Sequence, residues 1–139
     1  MKKFLLLVLV SACIVGLLVG CTKGSNYKPV QVENVSISIE DVSSTGGIVI
    51  IKDTNEEPYT YGEWYKIEKN SNGKWIEVDT VISDYGFNEI GYLTNEDGEV
   101  RFAIDWQWLY GELSPGNYRL LKEVANKYLA VDFNVEAKL

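Results

Sequence analysis

The chain has 139 residues, of which 20 are acidic and 13 are basic, and its formal net charge is −7 at pH 7. Nucleic acids and anionic lipid surfaces are bound through clustered basic residues, so this charge argues against both as partners. Histidine is absent, which removes the commonest general base and the commonest metal ligand. We therefore expect no enzyme, no metal and no other cofactor.

The first predicted element is an apolar run typical of a secretory signal. Two lysines precede residues 4–19, which are almost wholly apolar. The closing residues, Leu18-Val19-Gly20-Cys21, resemble the lipobox of bacterial lipoproteins. That resemblance implies cleavage before Cys21 and lipidation of its sulfur, so we expect a lipid anchor on the extracytoplasmic face of the cell membrane. An uncleaved anchor is the alternative, although the run is shorter than the ~20 residues of a spanning helix.

Removal of residues 1–20 leaves 11 basic and 20 acidic residues, a formal charge of −9. Cys13 leaves with the signal, so Cys21 is the only remaining cysteine and an internal disulfide is excluded. Residues 21–33 are polar, and they are predicted to form the lipidated N-terminus and a flexible tether. A single, monomeric domain is expected over residues 34–139.

Beyond the tether, apolar residues recur at every second position, which is the period of a half-buried strand. The apolar runs lie, in chain order, at residues 35–39, 48–51, 65–67, 76–78, 100–104, around Leu120 and at 129–135. Turn residues separate the runs, and no long helical pattern follows the signal. About seven short strands predict an all-β, two-sheet antiparallel sandwich.

The strongest turn signal, Asn72-Gly73, allows one hairpin to be worked out in detail. A two-residue turn there makes residues face each other when their numbers sum to 145. Ile67 then lies opposite Val78 on a face directed into the core. On the outward face, Lys66 opposite Asp79 is a favourable pair, whereas Glu68 opposite Glu77 is unfavourable.

The outward face of this hairpin carries Trp64, Lys66 and Trp75. Exposed tryptophan serves equally well for stacking on sugars and for contacts with proteins. These three residues are therefore the predicted surface for a partner protein or a glycan.

A second tryptophan pair, Trp106 and Trp108, continues the every-second-residue pattern of the apolar residues at 100–104. Core packing is the favoured interpretation for both, but their positions stay open because residues 109–113 resemble a crossover that caps one end of the sandwich. Tyr118 comes just after Pro115-Gly116, at the start of a late strand. This placement resembles the tyrosine corner of Greek-key sandwiches, in which the hydroxyl ties the loop to the strand.

Several short motifs together resemble a bacterial immunoglobulin-like domain over about residues 33–137. They are Tyr61-Gly62, Tyr65-Lys66-Ile67-Glu68-Lys69, Gly73-Lys74-Trp75, Trp106, Tyr110-Gly111-Glu112-Leu113, Gly116-Asn117-Tyr118-Arg119-Leu120 and Lys122-Glu123. The resemblance implies an immunoglobulin-like Greek-key sandwich in an extracytoplasmic protein, and it brings no catalytic residues. A fibronectin-type-III-like sandwich is the neighbouring alternative.

From these observations we expect a non-catalytic envelope module that binds a protein, in the manner of an adhesion domain. A module that binds cell-wall glycan through exposed Trp and Tyr is the alternative. Asp53, Asn55 and Glu57 alternate like the start of a calcium loop, but Pro58 stands where that loop requires glycine and Trp64 where it requires the closing glutamate. Residues 95–99 could bind a cation weakly, and a plain acidic turn is the favoured interpretation of them.

Replacement of Cys21 by serine tests the predicted anchor. The variant removes the sulfur that carries the lipid, so we expect the domain to be released from the membrane or to stay unprocessed. Membrane fractionation and the mass of the mature chain measure both results. A Cys21→Ser protein that is still cleaved and still membrane-bound would contradict the prediction, whereas Cys13→Ser should change nothing.

Overall fold

The computed structural model describes residues 24–139 as two antiparallel β-sheets that pack face to face. In chain order the elements are β1 (Val35–Glu40), β2 (Gly46–Asp53), β3 (Tyr65–Ser71), β4 (Lys74–Glu77), β5 (Glu99–Asp105), α1 (Gln107–Tyr110), β6 (Gly116–Val124) and β7 (Lys127–Val135). One sheet has the order β1-β2-β5 and the other β4-β3-β6-β7. The predicted all-β sandwich is confirmed, whereas the predicted signal peptide and Cys21 lie outside the described residues.

Strand β7 shows how the sequence pattern produces the sandwich. Its residues Leu129, Phe133 and Val135 are buried and alternate with more exposed neighbours, so one face of the strand meets the opposite sheet. It pairs with β6 along its whole length. Ala125 and Asn126 join the two strands with positive φ angles of 47° and 61°, which suit a tight hairpin.

The hairpin of β3 and β4 has the predicted register. Lys69 lies opposite Ile76 and Glu68 opposite Glu77, and the Val78 amide donates to the Ile67 carbonyl oxygen at 3.2 Å. The predicted Lys66–Asp79 pair is wrong. β4 ends at Glu77, and Lys66 instead forms an ion pair with Glu77 at 3.2 Å, one step along the same face of the ribbon.

The two tryptophans of the second pair have opposite environments. Trp106 is 0% exposed, its ring lies 5.2 Å from that of Phe133, and its indole N–H donates to the Ser44 carbonyl oxygen at 3.0 Å. Trp108 is 43% exposed, so core packing was the wrong expectation for it. The chain enters α1 between the two residues, and two helical steps of 100° turn the second side chain away from the first.

Tyr118 forms the predicted tyrosine corner. It is buried at the start of β6, and its hydroxyl donates to the Ser114 carbonyl oxygen at 2.6 Å. Its ring stacks on Phe133 at a centroid distance of 5.6 Å. The contact therefore ties the loop before β6 to the core of the sandwich.

Replacement of Tyr118 by phenylalanine should lower the free energy of unfolding by about 1–2 kcal/mol, because the ring stays while the Ser114 carbonyl oxygen loses its donor. Urea denaturation measures the change. Tyr128→Phe is the matched control and should stay within about 0.5 kcal/mol of the wild type, since its hydroxyl makes no hydrogen bond within residues 24–139. Equal effects of the two substitutions would contradict the assigned corner.

Candidate binding site

Residues 24–33 cross the outer face of the four-stranded sheet, and we call them the strap. At one end, the Ser25 amide donates to the Trp75 carbonyl oxygen at 3.0 Å on β4. At the other end, the Val30 amide donates to the Tyr128 carbonyl oxygen at 2.9 Å on β7. The flexible tether expected for residues 21–33 is therefore wrong over residues 24–33, where the chain is held against the sheet.

The strap covers two of the three predicted surface residues. Tyr27 lies between Trp64 and Tyr128, with ring centroids at 5.8 Å and 4.9 Å. The Lys66 ammonium lies 5.2 Å from the centre of the Tyr27 ring, in addition to its ion pair with Glu77. Trp64 and Lys66 thus point outward as predicted, but they are half-buried and already occupied by contacts within the chain.

Trp75, the third predicted residue, takes part in a buried polar cluster. The Arg119 guanidinium lies 4.6 Å from the centre of the Trp75 ring and pairs with Glu68 at 2.7 Å. Arg119 also donates to the Ser25 hydroxyl oxygen at 3.3 Å. Glu68, expected on an exposed face, is 0% exposed. The structure therefore brings Trp64, Lys66 and Trp75 under one strap and does not present them as an open surface.

Exposed aromatic side chains lie instead beside the edge of the other sheet. Tyr85, which is 40% exposed, lies 6.2 Å from Phe87 and 6.4 Å from Trp108, and the last two rings are 6.1 Å apart. Phe87 and Trp108 border a cavity of about 320 Å³, which we call the aromatic groove, and the Tyr85 ring packs on both of them. The groove is lined by Glu63, Tyr65, Phe87, Tyr92, Arg101, Phe102, Ala103, Ile104, Asp105 and Trp108.

One wall of the groove is a long connection that the strand pattern did not explain. Residues 78–98 join β4 to β5 and contain no named strand. Loops of this length within a domain are uncommon and are often functional. That length, together with Tyr85 and Phe87 in a segment that has five acidic residues and no lysine or arginine, is the sequence signal that could have identified the groove.

Two polar groups lie at the inner side of the groove. The Tyr65 hydroxyl is buried and has no hydrogen-bond partner within residues 24–139. Burial is the largest influence on this hydroxyl and raises its pKa above the ordinary value. The Glu63 carboxylate accepts a hydrogen bond from the Tyr92 hydroxyl at 2.7 Å.

Lys122 is buried behind the groove, on the inward face of β6. Its ammonium donates to the Gly62 carbonyl oxygen at 2.5 Å and lies 3.8 Å from the centre of the Phe102 ring. Burial lowers the pKa of Lys122 to about 8, and the negative charge of Glu63 opposes that shift only in part. This amine is the most strongly perturbed basic group of the described residues, yet no side-chain acid or base bonds to it there.

The acidic segments considered for cation binding are used in local hydrogen bonds. The Asp53 carboxylate accepts bonds from the amides of Asn55 and Tyr59 and from the Tyr61 hydroxyl. Burial alone would raise the pKa of Asp53, but these bonds outweigh it and lower the pKa. Within residues 24–139 no group of three or more acidic or cysteine side chains is arranged to hold a metal ion. No helix in that part of the chain is long and apolar enough to span a bilayer.

Comparison with known families gives one match. A family model described as a bacterial Ig-like domain matches residues 31–136, which include all seven strands and leave out most of the strap. No curated protein and no solved structure matches the chain.

The perturbed pKa of Lys122 predicts a rise of stability with pH. Between its folded value of about 8 and its unfolded value of 10.5, the unfolded chain binds a proton that the folded chain has released, so alkaline pH favours folding. We expect the free energy of unfolding to increase by about 1 kcal/mol from about pH 7 to about pH 9.

Urea denaturation at several pH values measures this increase, and Lys122→Met should abolish it. Lys127→Met, at an exposed position of β7, is the matched control and should retain it. An increase that survives in Lys122→Met would show that another group causes it.

Proposed function

The chain belongs to the bacterial Ig-like domain family, and on that premise we propose that it is a non-catalytic module that binds a protein of the cell envelope through the aromatic groove. The observation that carries the proposal is that Tyr85 and Trp108 are exposed beside a sheet edge, packed on the half-buried Phe87, while the other outward-facing tryptophans are covered. Exposed aromatic side chains at the rim of a groove are the residue type that most often dominates protein contacts.

The geometry of the cluster favours a protein over a glycan. The three rings meet edge to face, at interplanar angles of 75° to 86°. A sugar ring stacks on a flat aromatic face, whereas this arrangement forms an angular hydrophobic recess that suits side chains. A glycan-binding module remains the second candidate, because Trp108 and Tyr85 each keep part of a ring exposed.

We further propose that the domain is held at the extracytoplasmic face of the membrane by a lipid on Cys21. The strap begins to contact β4 at Gly24, which pairs with Ile76. Three residue steps separate Cys21 from Gly24, and they span at most about 11 Å. A lipid on Cys21 would therefore hold the β4 side of the domain close to the bilayer, with no long tether between them.

Substitution of Trp108 by alanine tests the proposed surface. We expect the variant to lose at least about tenfold in affinity for the envelope protein that cross-links to the wild type, because an exposed tryptophan at a binding centre typically contributes 2 kcal/mol or more. Its thermal midpoint should change little, since the side chain lies at the surface.

Trp64→Ala is the matched control. It removes a tryptophan that packs on Tyr27 and Tyr128, so it should lower stability and leave the partner bound. Binding to purified cell-wall polysaccharide that depends on Trp108 would favour the glycan-binding alternative. Full retention of the protein partner by Trp108→Ala would overturn the proposed surface.

A further inference from the structure

Strand β5 ends the three-stranded sheet with an unpaired edge. Two hydrogen bonds show which residues of β5 direct their backbone groups toward β2. The Trp106 amide donates to the Thr45 carbonyl oxygen, and the Asp53 amide donates to the Gly98 carbonyl oxygen. In an antiparallel pair every second residue turns its N–H and C=O away from the partner. On β5 these are Arg101, Ala103 and Asp105, and no hydrogen bond within residues 24–139 reaches their outward backbone groups.

The other sheet has both of its edges contacted by the strap. Ser25 bonds to the backbone of Trp75 on β4, and Val30 bonds to that of Tyr128 on β7. Charged side chains often protect an exposed strand edge from pairing with another chain. Arg101 does not act in this way, because its guanidinium extends across β2 to form an exposed ion pair with Glu40 of β1. The edge of β5 is therefore left open beside the groove.

The aromatic groove lies along this edge. The lining residues of β5 run from Arg101 to Asp105, and Phe87 and Trp108 face them. A strand added to β5 would direct alternate side chains to the inner side, toward these rings and the unpartnered Tyr65 hydroxyl. Five residues of edge extend about 16 Å, which suits a short extended peptide.

The charged residues around the groove determine which sign of charge the bound peptide should carry. Residues 78–98, which form the facing wall, contain Asp79, Asp84, Glu89, Glu96 and Asp97 and no lysine or arginine. Asp105 and Glu63 add two carboxylates to the lining, while the charge of Arg101 is offset by Glu40. The field at the edge is therefore negative, and it favours a cationic segment.

We propose that the free edge of β5 binds an extended peptide segment of a partner protein as an added strand, with apolar or aromatic residues directed into the aromatic groove and lysine or arginine at the alternate positions. Backbone hydrogen bonds to Arg101, Ala103 and Asp105 supply the pairing, as in other cases of strand addition. The inference rests on the proposed protein-binding function and specifies how that function is performed.

The test uses the isotope-labelled full chain in detergent micelles and a capped Lys-Val-Lys-Trp-Lys-Val-Lys peptide. We expect this peptide to protect the amides of Arg101, Ala103 and Asp105 from hydrogen exchange. It should bind at least about tenfold more tightly than the same peptide with glutamate in place of lysine. Two further versions carry N-methylated amides at alternate residues, one version for each set of positions. Only the version that methylates the residues facing β5 should lose about tenfold or more in affinity, because it alone lacks the donors that pair with β5.

Two substitutions of Ala103 distinguish the contribution of its backbone N–H to binding from that of its side chain. Ala103→Pro removes an outward N–H without removing a ladder bond to β2, and it should reduce binding at least about tenfold. Ala103→Thr keeps that N–H while changing the side chain, so it should bind more tightly than Ala103→Pro does. If Ala103→Pro does not fold, the N-methylated peptides on the wild type decide the same question.

Strand addition is overturned if the cationic peptide does not bind at up to about 1 mM, if it binds without protecting the three amides, or if both N-methylated versions bind as tightly as the unmethylated peptide. These outcomes are distinct from failure of the proposed function. If Trp108→Ala still loses the envelope partner, only strand addition is wrong. If the partner is indifferent to Trp108, the proposed protein-binding function is wrong as well.

Discussion

The ion pair between Glu68 and Arg119 is the constraint on which the arrangement of this domain's surface depends. It lies on the outer face of the four-stranded sheet, where an antiparallel sandwich normally meets water. Here Glu68 is 0% exposed. A buried ion pair is tolerated only when further hydrogen bonds and close packing replace the lost water. The Ser25 hydroxyl and the Trp75 ring provide these contacts to Arg119, so the strap is part of the folded domain.

The strap covers part of the four-stranded sheet, and so it determines which surfaces are left exposed for binding. Tyr27 fills the space between Trp64 and Tyr128, and the ends of the strap bond to β4 and β7. The four-stranded sheet therefore offers little open aromatic surface. The three-stranded sheet has no such covering over β5, and the loop at residues 78–98 places Tyr85 and Phe87 beside it. The candidate binding surface thus lies on the sheet that the strap leaves free.

Features that depend on neighbours in the chain were predicted well from the sequence. The register of the β3–β4 hairpin follows from the two-residue turn at Asn72-Gly73 and matches the structure in all four pairs of the ladder, which ends at Glu68 and Glu77. The tyrosine corner was predicted from the position of Tyr118 just after the Pro115-Gly116 turn, and its hydroxyl forms the expected hydrogen bond. Strand order in the sandwich follows less directly, since it depends on contacts between residues far apart in the chain.

The predicted binding surface failed for a physical reason that the period-two pattern cannot contain. Alternation assigns Trp64, Lys66 and Trp75 to the outward face, which is right, but it says nothing about what lies over that face. A polar segment such as residues 24–33 has the composition of a tether, and only its tertiary contacts show that it packs on the sheet. The prediction for Trp108 was also wrong, because the short helix α1 directs its side chain away from the core that the strand pattern predicted for it.

The sequence by itself therefore determined the strands, most of their turns and the direction of the side chains on those strands, because these depend on local backbone geometry and on the pairing of neighbouring segments. Only the tertiary structure decided that residues 24–33 close over the Glu68–Arg119 pair, that Trp106 is buried while Trp108 is exposed, and that the edge of β5 lies open next to a groove. These features depend on contacts between residues that are tens of positions apart in the chain. Which side chains are buried is therefore decided by the packing of the two sheets, the strap and the loop at residues 78–98.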